Sequence, residues 1–313
     1  MTDPTASRPR ISVVIPHNYE NPTSDQGELL RETLRSVLTQ TMGAWEAIVV
    51  KNRSDNQTSA IADGFGDPRI LYVDCHNNGV IAASRNKGTE LARSEWVAFL
   101  DSDDLWTPDK LARCLAVIDA GTGIDLVSHR EVMVKDGRPL GLTPRGSDKK
   151  ASYNALLYRG NCLSPTAVVA RKSKLEAVGG FSEDPALVSA EDYDLWLRLA
   201  RFGIRMAFID EPLSQYTLHG ASASASIRRH LDANLKVLEQ HFAELGPPLP
   251  FEWLLRRRAR ARMIYGAARA SQKAGRRGDA VGFLAESLSL FPLAPKAYAA
   301  LLLTFLTGGS NSR

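Results

Sequence analysis

Two groups of acidic residues have the types and spacing to do chemistry. Asp101, Asp103 and Asp104 fall within four positions, directly after the apolar stretch 96–100. Carboxylates this close repel one another and lose hydration, so a fold tolerates them at a strand end when a cation or hydrogen-bond donors share the site. Their oxygens are hard ligands that suit Mg²⁺ or Mn²⁺. An acidic turn that caps the next helix would explain the same residues without a metal.

The second group is Glu191, Asp192 and Asp194, at the start of a helical pattern. Acids in the first turn of a helix are favoured by the helix dipole, and Ser189 resembles the first residue of a capping box, so a purely structural role accounts for them. A carboxylate that faces a cleft would also suit a general base for a hydroxyl group within hydrogen-bond reach. The residues alone leave both interpretations open.

The surrounding sequence alternates between apolar strands and helical repeats. Strands are predicted at 11–15, 45–50, 69–73, 96–100, 125–134, 167–170 and 205–209, and helices at 29–40, 80–92, 108–118 and 190–202. Thr107 is the predicted N-cap of the helix at 108–118. Strands that are apolar throughout and alternate with helices indicate an α/β fold with a mostly parallel sheet covered on both faces. Ligands bind such sheets at the carboxyl ends of the strands, just where Asp101 follows residue 100.

Composition places the chain among soluble globular proteins of about two domains, with 313 residues, 44% apolar and 24% charged. No signal peptide and no run of 18 apolar residues is visible, so a cytoplasmic protein is expected. Cys75, Cys114 and Cys162 are odd in number and widely spaced, which predicts reduced thiols and argues against a disulfide framework or a zinc site.

The C-terminal part of the chain differs from the rest in its charge and in its predicted structure. Residues 1–226 carry a net charge of −4, and residues 227–313 carry +8. Helices are predicted at 227–245, 252–273, 279–290 and 295–306. We therefore predict an α/β domain at 1–226 and a basic helical appendage at 227–313, in which 265–292 resembles a single tetratricopeptide-type hairpin.

The segment 252–278 is the most basic part of this appendage. It holds nine Lys and Arg residues between Trp253 and Gly278 without an acid, interleaved with apolar side chains. Such a helix could lie against anionic lipid at the inner face of the cell membrane. The alternative is a solvated helix that packs its apolar side on the first domain. Nucleic-acid binding is not expected, because no recognition motif accompanies the charge.

Taken together, an ordered series of blocks between residues 9 and 222 resembles glycosyltransferase family 2, the inverting enzymes of the GT-A fold. The blocks are 11–16, 36–40, 78–79, 83–86, 99–106, 108–111, 179–181 and 191–198. The resemblance implies a Rossmann-like GT-A sheet. It also implies transfer of a sugar from a nucleoside-diphosphate donor, such as a UDP-, GDP- or dTDP-sugar, to a hydroxyl of a saccharide or lipid-linked saccharide.

The resemblance also implies roles for individual residues. Asp103, with His219, would bind the Mn²⁺ or Mg²⁺ that bridges the donor diphosphate, while Asp192 would be the base that deprotonates the acceptor and Glu191 its acidic neighbour. The residues expected to line or support the nucleotide site are Pro16, Asn18, Tyr19, Asn52, Asn78, Gly79, Arg85, Asn86, Asp101 and Ser102, with Asp101 facing the ribose. Arg85 and Asn86 would equally suit a structural role.

Two departures leave the donor open. Where the family has two adjacent acids that meet the nucleobase, this chain has Lys51 and Asn52, and Asn52 brings no charge although its amide can donate and accept. The loop after Pro16 is also longer than usual. Tyr19 within it could stack on the base or cover the sheet edge.

Two other functions are weighed against the transferase. A degenerate transferase that serves as a binding or scaffold module is motivated by Lys51 and Asn52. A sugar-1-phosphate nucleotidyltransferase would need a basic, Gly-rich triphosphate loop after the first strand, but residues 16–27 contain no Lys or Arg. No motif for a covalent nucleophile is found, so a single displacement is expected.

Overall fold

The computed structural model describes residues 8–18, 26–52, 61, 64–76, 79–121, 123–218 and 223–306. Within these residues the central feature is a sheet of nine strands. They are β1 Ile11–Asn18, β2 Trp45–Asn52, β3 Ile70–Asp74, β4 Trp96–Phe99, β5 Leu105–Trp106, β6 Leu126–Lys135, β7 Arg138–Leu142, β8 Val168–Arg171 and β9 Met206–Leu218. Their order across the sheet is β3-β2-β1-β4-β8-β6-β9-β5, with β7 paired to β6.

Ten helices are found in the same described part of the chain. They are α1 Gln26–Leu38, α2 Ile81–Leu91, α3 Lys110–Asp119, α4 Tyr153–Arg159, α5 Lys172–Ala177, α6 Glu191–Phe202, α7 Ala223–Leu245, α8 Glu252–Lys273, α9 Arg277–Leu290 and α10 Pro295–Leu306. The predicted α/β class is thereby confirmed.

Helices cover the first half of the sheet on both faces. Successive residues of a strand point to opposite sides, so each strand contacts both helical layers. Val14 of β1 packs in one apolar cluster with Ala82 of α2. Its neighbour Val13 packs in the other cluster with Leu30 and Leu34 of α1. All of these side chains are buried. Burial on both faces explains why the strands carry continuous apolar runs.

The direction of the strands changes across the sheet. Strands β1 to β4 are parallel to one another, as predicted. The remainder is mixed: β8 is antiparallel to β4 and β6, and β6 is parallel to β9. Strand β7 returns on β6 through Asp136 and Gly137, both with positive φ, as a two-residue hairpin turn of primed type requires. The mostly parallel sheet of the prediction thus describes the first four strands.

Strand ends that carry polar residues meet at one edge. In the register of β1 and β2, Pro16 lies beside Val50, His17 beside Lys51 and Asn18 beside Asn52. The N–H of Leu100 donates to the carbonyl of Val14 at 3.0 Å, which continues the ladder past the end of β4. Asp101 therefore leaves the sheet at the same edge as the end of β1.

Two predicted helix caps are wrong. Helix α3 begins at Lys110 and not at residue 108, because the Thr107 hydroxyl bonds to Asp109 Oδ1 and its N–H donates to Leu213 of β9. Helix α6 begins at Glu191, but Ser189 has a φ of 77° and gives no cap hydrogen bond. A capping residue has extended backbone, so the left-handed conformation of Ser189 excludes that role.

The four predicted C-terminal helices are present as α7 to α10. Val237 and Phe242 of α7 and Ala259 of α8 belong to the same apolar cluster as Phe99 and Trp196 of the α/β part. A separate small cluster joins α8, α9 and α10. The domain division at residue 226 stays a prediction, and across it α7 and α8 share core with the sheet.

Among the helices that the structure describes, none combines the length and apolar character needed to cross a membrane. The three cysteines carry free thiols, and Cys114 is fully buried, as the spacing predicted.

Candidate active site

The two acidic groups of the sequence meet at one buried guanidinium. Arg85, on the first turns of α2, donates from Nη1 to Glu191 Oε1 and from Nη2 to Asp101 Oδ1, each at 2.7 Å. Its side chain is 3% exposed. Burial alone would lower the Arg85 pKa, but Asp101, Glu191 and Asp192 more than offset this and raise it. Arg85 is therefore a fixed cation that holds the end of β4 against the start of α6.

The turn after β4 is anchored by Asp104. Its Oδ2 accepts from the Thr166 hydroxyl at 2.6 Å, and its Oδ1 accepts from the N–H of Thr217 on β9 at 2.8 Å. The Thr166 hydroxyl also accepts from the N–H of Asp101 at 3.2 Å. Burial, followed by the charges of Asp101 and Asp103, raises the Asp104 pKa well above its usual value. Asp104 is thus a structural residue of the acidic turn.

The other residues of this turn face the strand-end edge of the sheet. Ser102 Oγ lies 3.1 Å from His17 Nδ1 at the end of β1. Ser102 and Asp103 form the tip of the turn and are half-buried, and the Asp104 N–H closes it by donating to the Asp101 carbonyl at 3.1 Å. The acidic turn is consequently held on both sides, with Asp103 at its tip.

Asp192 lies at the start of α6, next to Glu191. It is half-buried, and its Oδ2 accepts from Asn161 Nδ2 at 3.3 Å. Burial first, and the Glu191 charge second, raise the Asp192 pKa to about 7, while Arg85 acts in the opposite direction. A carboxyl group with a pKa near neutrality is suited to accept a proton at physiological pH.

Among the described residues, no group of three or more His, Cys, Asp or Glu is arranged to hold a metal ion. Asp101 is engaged by Arg85 and both carboxylate oxygens of Asp104 accept hydrogen bonds, whereas Asp103 lies half-buried at the tip of the turn. Mg²⁺ is commonly held by one or two carboxylates together with substrate phosphates. The residues present therefore fit a metal shared with a bound diphosphate, and they do not form a closed protein cage.

The sequence matches models of two known protein families. The model of Glycosyl transferase family 2 matches residues 12–179, more than half of the chain. The chain belongs to glycosyltransferase family 2. A second model, Glycosyl transferase family group 2, matches residues 96–310 and so extends over the helical part.

Named relatives agree with this family. TuaG of Bacillus subtilis (strain 168), whose name assigns it to teichuronic acid biosynthesis as a glycosyltransferase, is 29% identical over 222 residues, which are 70% of this chain and 83% of TuaG. The protein y4gI of Sinorhizobium fredii is 31% identical over 263 residues, but the chain spans 28% of its length. The chain is therefore a glycosyltransferase with relatives in polysaccharide biosynthesis.

Solved structures share the fold. S. aureus TarS 1-349 in complex with UDP-GlcNAc aligns with a TM-score of 0.63 at 18% identity, over 95% of this chain and 90% of that one. Mannosyltransferase PcManGT from Pyrobaculum calidifontis in complex with GDP-Man and Mn²⁺ aligns with a TM-score of 0.58 at 22% identity, over 98% of this chain and 88% of that one. At these identities the likeness establishes the GT-A fold.

In this family 2 glycosyltransferase, several predicted nucleotide residues come together at the sheet edge. Pro16 is buried near the end of β1, and the backbones of Asn18 and Asn52 lie side by side at the ends of β1 and β2. Gly79 precedes α2 with a φ of 84°. Three further predicted residues lie outside the described part of the chain, namely Tyr19, Asn78 and His219.

Asn86 is separated from this group by its hydrogen bonds. Its Nδ2 donates to the Phe181 carbonyl and to Glu183 Oε1 at 2.9 and 2.8 Å, and its Oδ1 accepts from the Phe181 N–H at 2.8 Å. A Cβ on Gly180 would lie 2.6 Å from Asn86 Oδ1, so only glycine allows this close approach. Asn86 therefore clamps the loop that follows α5, which is the structural role left open by the sequence.

Lys51 explains part of the departure from the family pattern. Its side chain is buried, and its Nζ lies 3.1 Å from Asp74 Oδ1 at the end of β3. Asp74 was not selected from the sequence, although it follows residue 73 at a strand end, where chemistry was expected. At this point of the sheet edge the acidic residue is therefore Asp74 of β3, and it is paired with Lys51 of β2.

Other residues of the site carried no signal in the sequence. Thr166, in a 3-10 turn at Pro165–Ala167, contacts Asp104, and Asn161, in a loop, contacts Asp192. Only the folded chain brings these segments close to the acids. Glu131 of β6 is buried beneath the acidic turn, where burial raises its pKa to about 7 despite hydrogen bonds from Ser164 and Ser214. No local pattern marks these positions, because their partners are distant in the chain.

Proposed function

We propose that the chain transfers a sugar with inversion, from a nucleoside-diphosphate donor to a hydroxyl of a saccharide or lipid-linked saccharide, with Asp192 as general base. The single observation that carries this proposal is the Arg85 bridge. It ties Asp101 on the turn after β4 to Glu191, the neighbour of Asp192, through two 2.7 Å contacts. A single displacement needs the base and the donor in a fixed geometry, and this bridge holds the start of α6 against the turn proposed to bind the donor.

In this mechanism Asp192 accepts the proton of the acceptor hydroxyl. The oxygen so activated attacks the anomeric carbon from the face opposite the diphosphate, a new C–O bond forms, and the bond to the diphosphate oxygen breaks. The nucleoside diphosphate leaves with the electron pair. Because one displacement occurs, the anomeric configuration inverts. A general base of this kind contributes about 10²- to 10⁴-fold to the rate.

We further propose that the cofactor is Mn²⁺ or Mg²⁺, which Asp103 and His219 would hold together with the donor diphosphate. When bound, the metal would offset the negative charge that develops on the leaving phosphate. The donor complexes of the TarS and PcManGT structures support a UDP- or GDP-sugar donor, and the Mn²⁺ of the latter supports the metal. The turn itself keeps Asp103 in position through the Asp104 anchor.

The test uses two variants and one control. Asp192→Asn and Asp103→Asn are assayed for transfer, or for slow hydrolysis of the donor, with a panel of UDP-, GDP- and dTDP-sugars. Asp119→Asn is the control, because Asp119 is half-exposed and pairs with Arg10 far from the site. We expect both site variants to lose at least 100-fold and the control to keep full activity. Full activity in a folded Asp192→Asn variant would remove the proposed base. A wild type that neither turns over a donor nor binds any nucleotide would favour the scaffold alternative.

Membrane contact is proposed for one end of α8 only. Arg256 is engaged by Glu252 and Arg260 by Glu239, and the apolar side of this helix packs inside the protein. The start of the helix presents aromatic side chains to the outside, with Phe251 80% exposed and Trp253 51% exposed. Aromatic side chains suit a membrane interface. Co-sedimentation with anionic and neutral vesicles tests this contact, and absence of binding to both would exclude it.

A further inference from the structure

A cavity that is separate from the acidic turn is lined by several cationic side chains. It has a volume of about 650 Å³ and lies between the region around α4 and the first half of α8. Lys149, Arg159, Arg258 and Arg262 line it, together with neutral side chains that include Tyr158 and Leu255. No acidic residue is among the lining. A cleft with one sign of charge concentrates the opposite charge, so its ligand is expected to be an anion.

Among the described residues, none of the four cations that line this cavity forms an ion pair with a carboxylate. Arg262 Nε is buried and has no hydrogen-bond partner there. Burial, and also the charge of Arg258, lower the Arg262 pKa. A buried guanidinium atom without an acceptor is costly. An anion bound in the cavity that Arg262 lines would offset part of this cost.

One carboxylate lies close to this cavity but is already occupied. Glu252 accepts from the Tyr158 hydroxyl at 2.9 Å, from Arg256 Nη2 at 2.7 Å and from the Leu249 N–H at 3.1 Å. Its charge is thereby matched to Arg256, which does not line the cavity. The positive charge of the lining remains available.

The cavity is connected to the proposed base by three neighbouring residues. The Arg262 guanidinium packs on Gly160, where a Cβ would lie 2.3 Å from Nη2. The next residue is Asn161, which donates to Asp192 Oδ2 at 3.3 Å. A further cavity of about 470 Å³ is lined by Gly160, Asn161 and Arg262. Arg262 therefore lines both cavities, and the second cavity also reaches Asn161, the hydrogen-bond donor to Asp192.

We propose that the cation-lined cavity binds the diphosphate group of the acceptor, so that the acceptor hydroxyl is presented to Asp192. This inference rests on the proposed function and adds the acceptor's chemical class to it. Arg guanidinium groups match phosphate oxygens in paired hydrogen bonds, and three of the four cations are arginines. The exposed side chain of Leu255 adds an apolar wall to the same cavity. That wall suits a diphosphate carried on a lipid chain.

Calorimetric titration with inorganic pyrophosphate, in the absence of metal, tests the site directly. The probe is compared on the wild-type chain, on an Arg159→Ala/Arg258→Ala double variant and on Lys273→Ala. Both arginines are exposed and the variant should fold, which circular dichroism checks. Lys273 is an exposed cation on the same helix that does not line the cavity. We expect binding at least tenfold weaker in the double variant and unchanged binding in Lys273→Ala.

Farnesyl diphosphate distinguishes the source of the diphosphate. Tighter binding than pyrophosphate, with the advantage lost in Leu255→Ser, supports a lipid-linked acceptor, whereas equal binding of the two probes supports a soluble diphosphate at the same site. Equal pyrophosphate affinity in the wild type and the double variant, or no binding to either, overturns the proposal. Binding of UDP, GDP and dTDP is measured on the same samples. Its absence from the wild type contradicts the proposed function instead, so the two failures are separable.

Discussion

Arg85 Nη1 lies 2.7 Å from Glu191 Oε1, and both side chains are buried although 106 positions separate them in the sequence. Arg85 starts from α2 and Glu191 begins α6, so this ion pair fixes two helices on one face of the sheet. Breaking a buried pair leaves an uncompensated charge, which costs more than the pair itself contributes. The relative position of the site's two acidic groups therefore depends on this contact.

Removal of the Arg85 cation should destabilise the protein strongly. We expect Arg85→Ala to lower the free energy of unfolding by about 3–5 kcal/mol, measured by urea denaturation, because Asp101 and Glu191 would be left without their partner. Arg10→Ala serves as the control. Arg10 pairs with Asp119 on the surface, where both side chains are half-exposed, so its loss should cost less than about 1 kcal/mol. Similar costs for the two variants would show that the bridge is not a structural centre.

The activity should depend on pH through Asp192. A base acts in its deprotonated form, and the Asp192 pKa is raised to about 7 by burial and by Glu191. The transfer rate should therefore rise between pH 6 and pH 8 and fall in acid, because protonation below pH 7 removes the acceptor of the proton. Rate profiles of the wild type under saturating donor are the measurement. A rate that stays constant from pH 5 to pH 8 would contradict a base with this pKa.

The acidic turn should depend on a single hydroxyl. Thr166→Val keeps the shape of the side chain but removes the 2.6 Å bond to Asp104 Oδ2 and the acceptor of the Asp101 N–H. We expect a loss of about 1–3 kcal/mol in the free energy of unfolding, because two buried polar groups lose their partner. Thr39→Val is the control, since Thr39 is exposed and bonds only within its own turn. A loss no larger than that of the control would mean that another group anchors Asp104.

Gly160 should tolerate no side chain. Its φ of 92° and ψ of 175° belong to a region that only glycine adopts readily, and a Cβ would meet the Arg262 guanidinium. We expect Gly160→Ala to lower the melting temperature and to cost about 1–3 kcal/mol. Gly282→Ala is the matched control, because Gly282 is inside α9 with open space at its Cβ position, so alanine there should stabilise by about 0.5–1 kcal/mol. Equal effects of the two substitutions would argue against the tight contact with Arg262.

The sequence predicted the parts of the fold that rest on local patterns. Apolar runs such as 11–15 and 96–100 became buried strands, and the acids after residue 100 emerged at the expected edge. Short pieces were missed: β5 has two residues, and α4 and α5 have seven and six, which is too few to establish a period. Strand β9 extends to Leu218, beyond the predicted end at 209. Its second half mixes exposed positions with the buried Leu213 and Ser214 and so carries no continuous apolar run.

The sequence predicted the acidic residues of the site but not the side chains that bind them. Strand-end carboxylates can be found from spacing, since their position follows from the sheet. The cation that neutralises them cannot, because Arg85 reaches Asp101 and Glu191 only after the helices have packed. For the same reason the sequence left Asn86 with two roles, and only its contacts with Phe181 distinguish them.

The most direct test of the account is nucleotide binding with and without Mn²⁺. Thermal shifts with UDP, GDP and dTDP are compared between the wild type, Asp103→Asn and the surface control Asp119→Asn. The account predicts that at least one nucleotide stabilises the wild type more strongly when Mn²⁺ is present, and that Asp103→Asn alone loses this metal-dependent part. Absence of stabilisation by every nucleotide in both conditions, or an unchanged Mn²⁺ effect in Asp103→Asn, would contradict it.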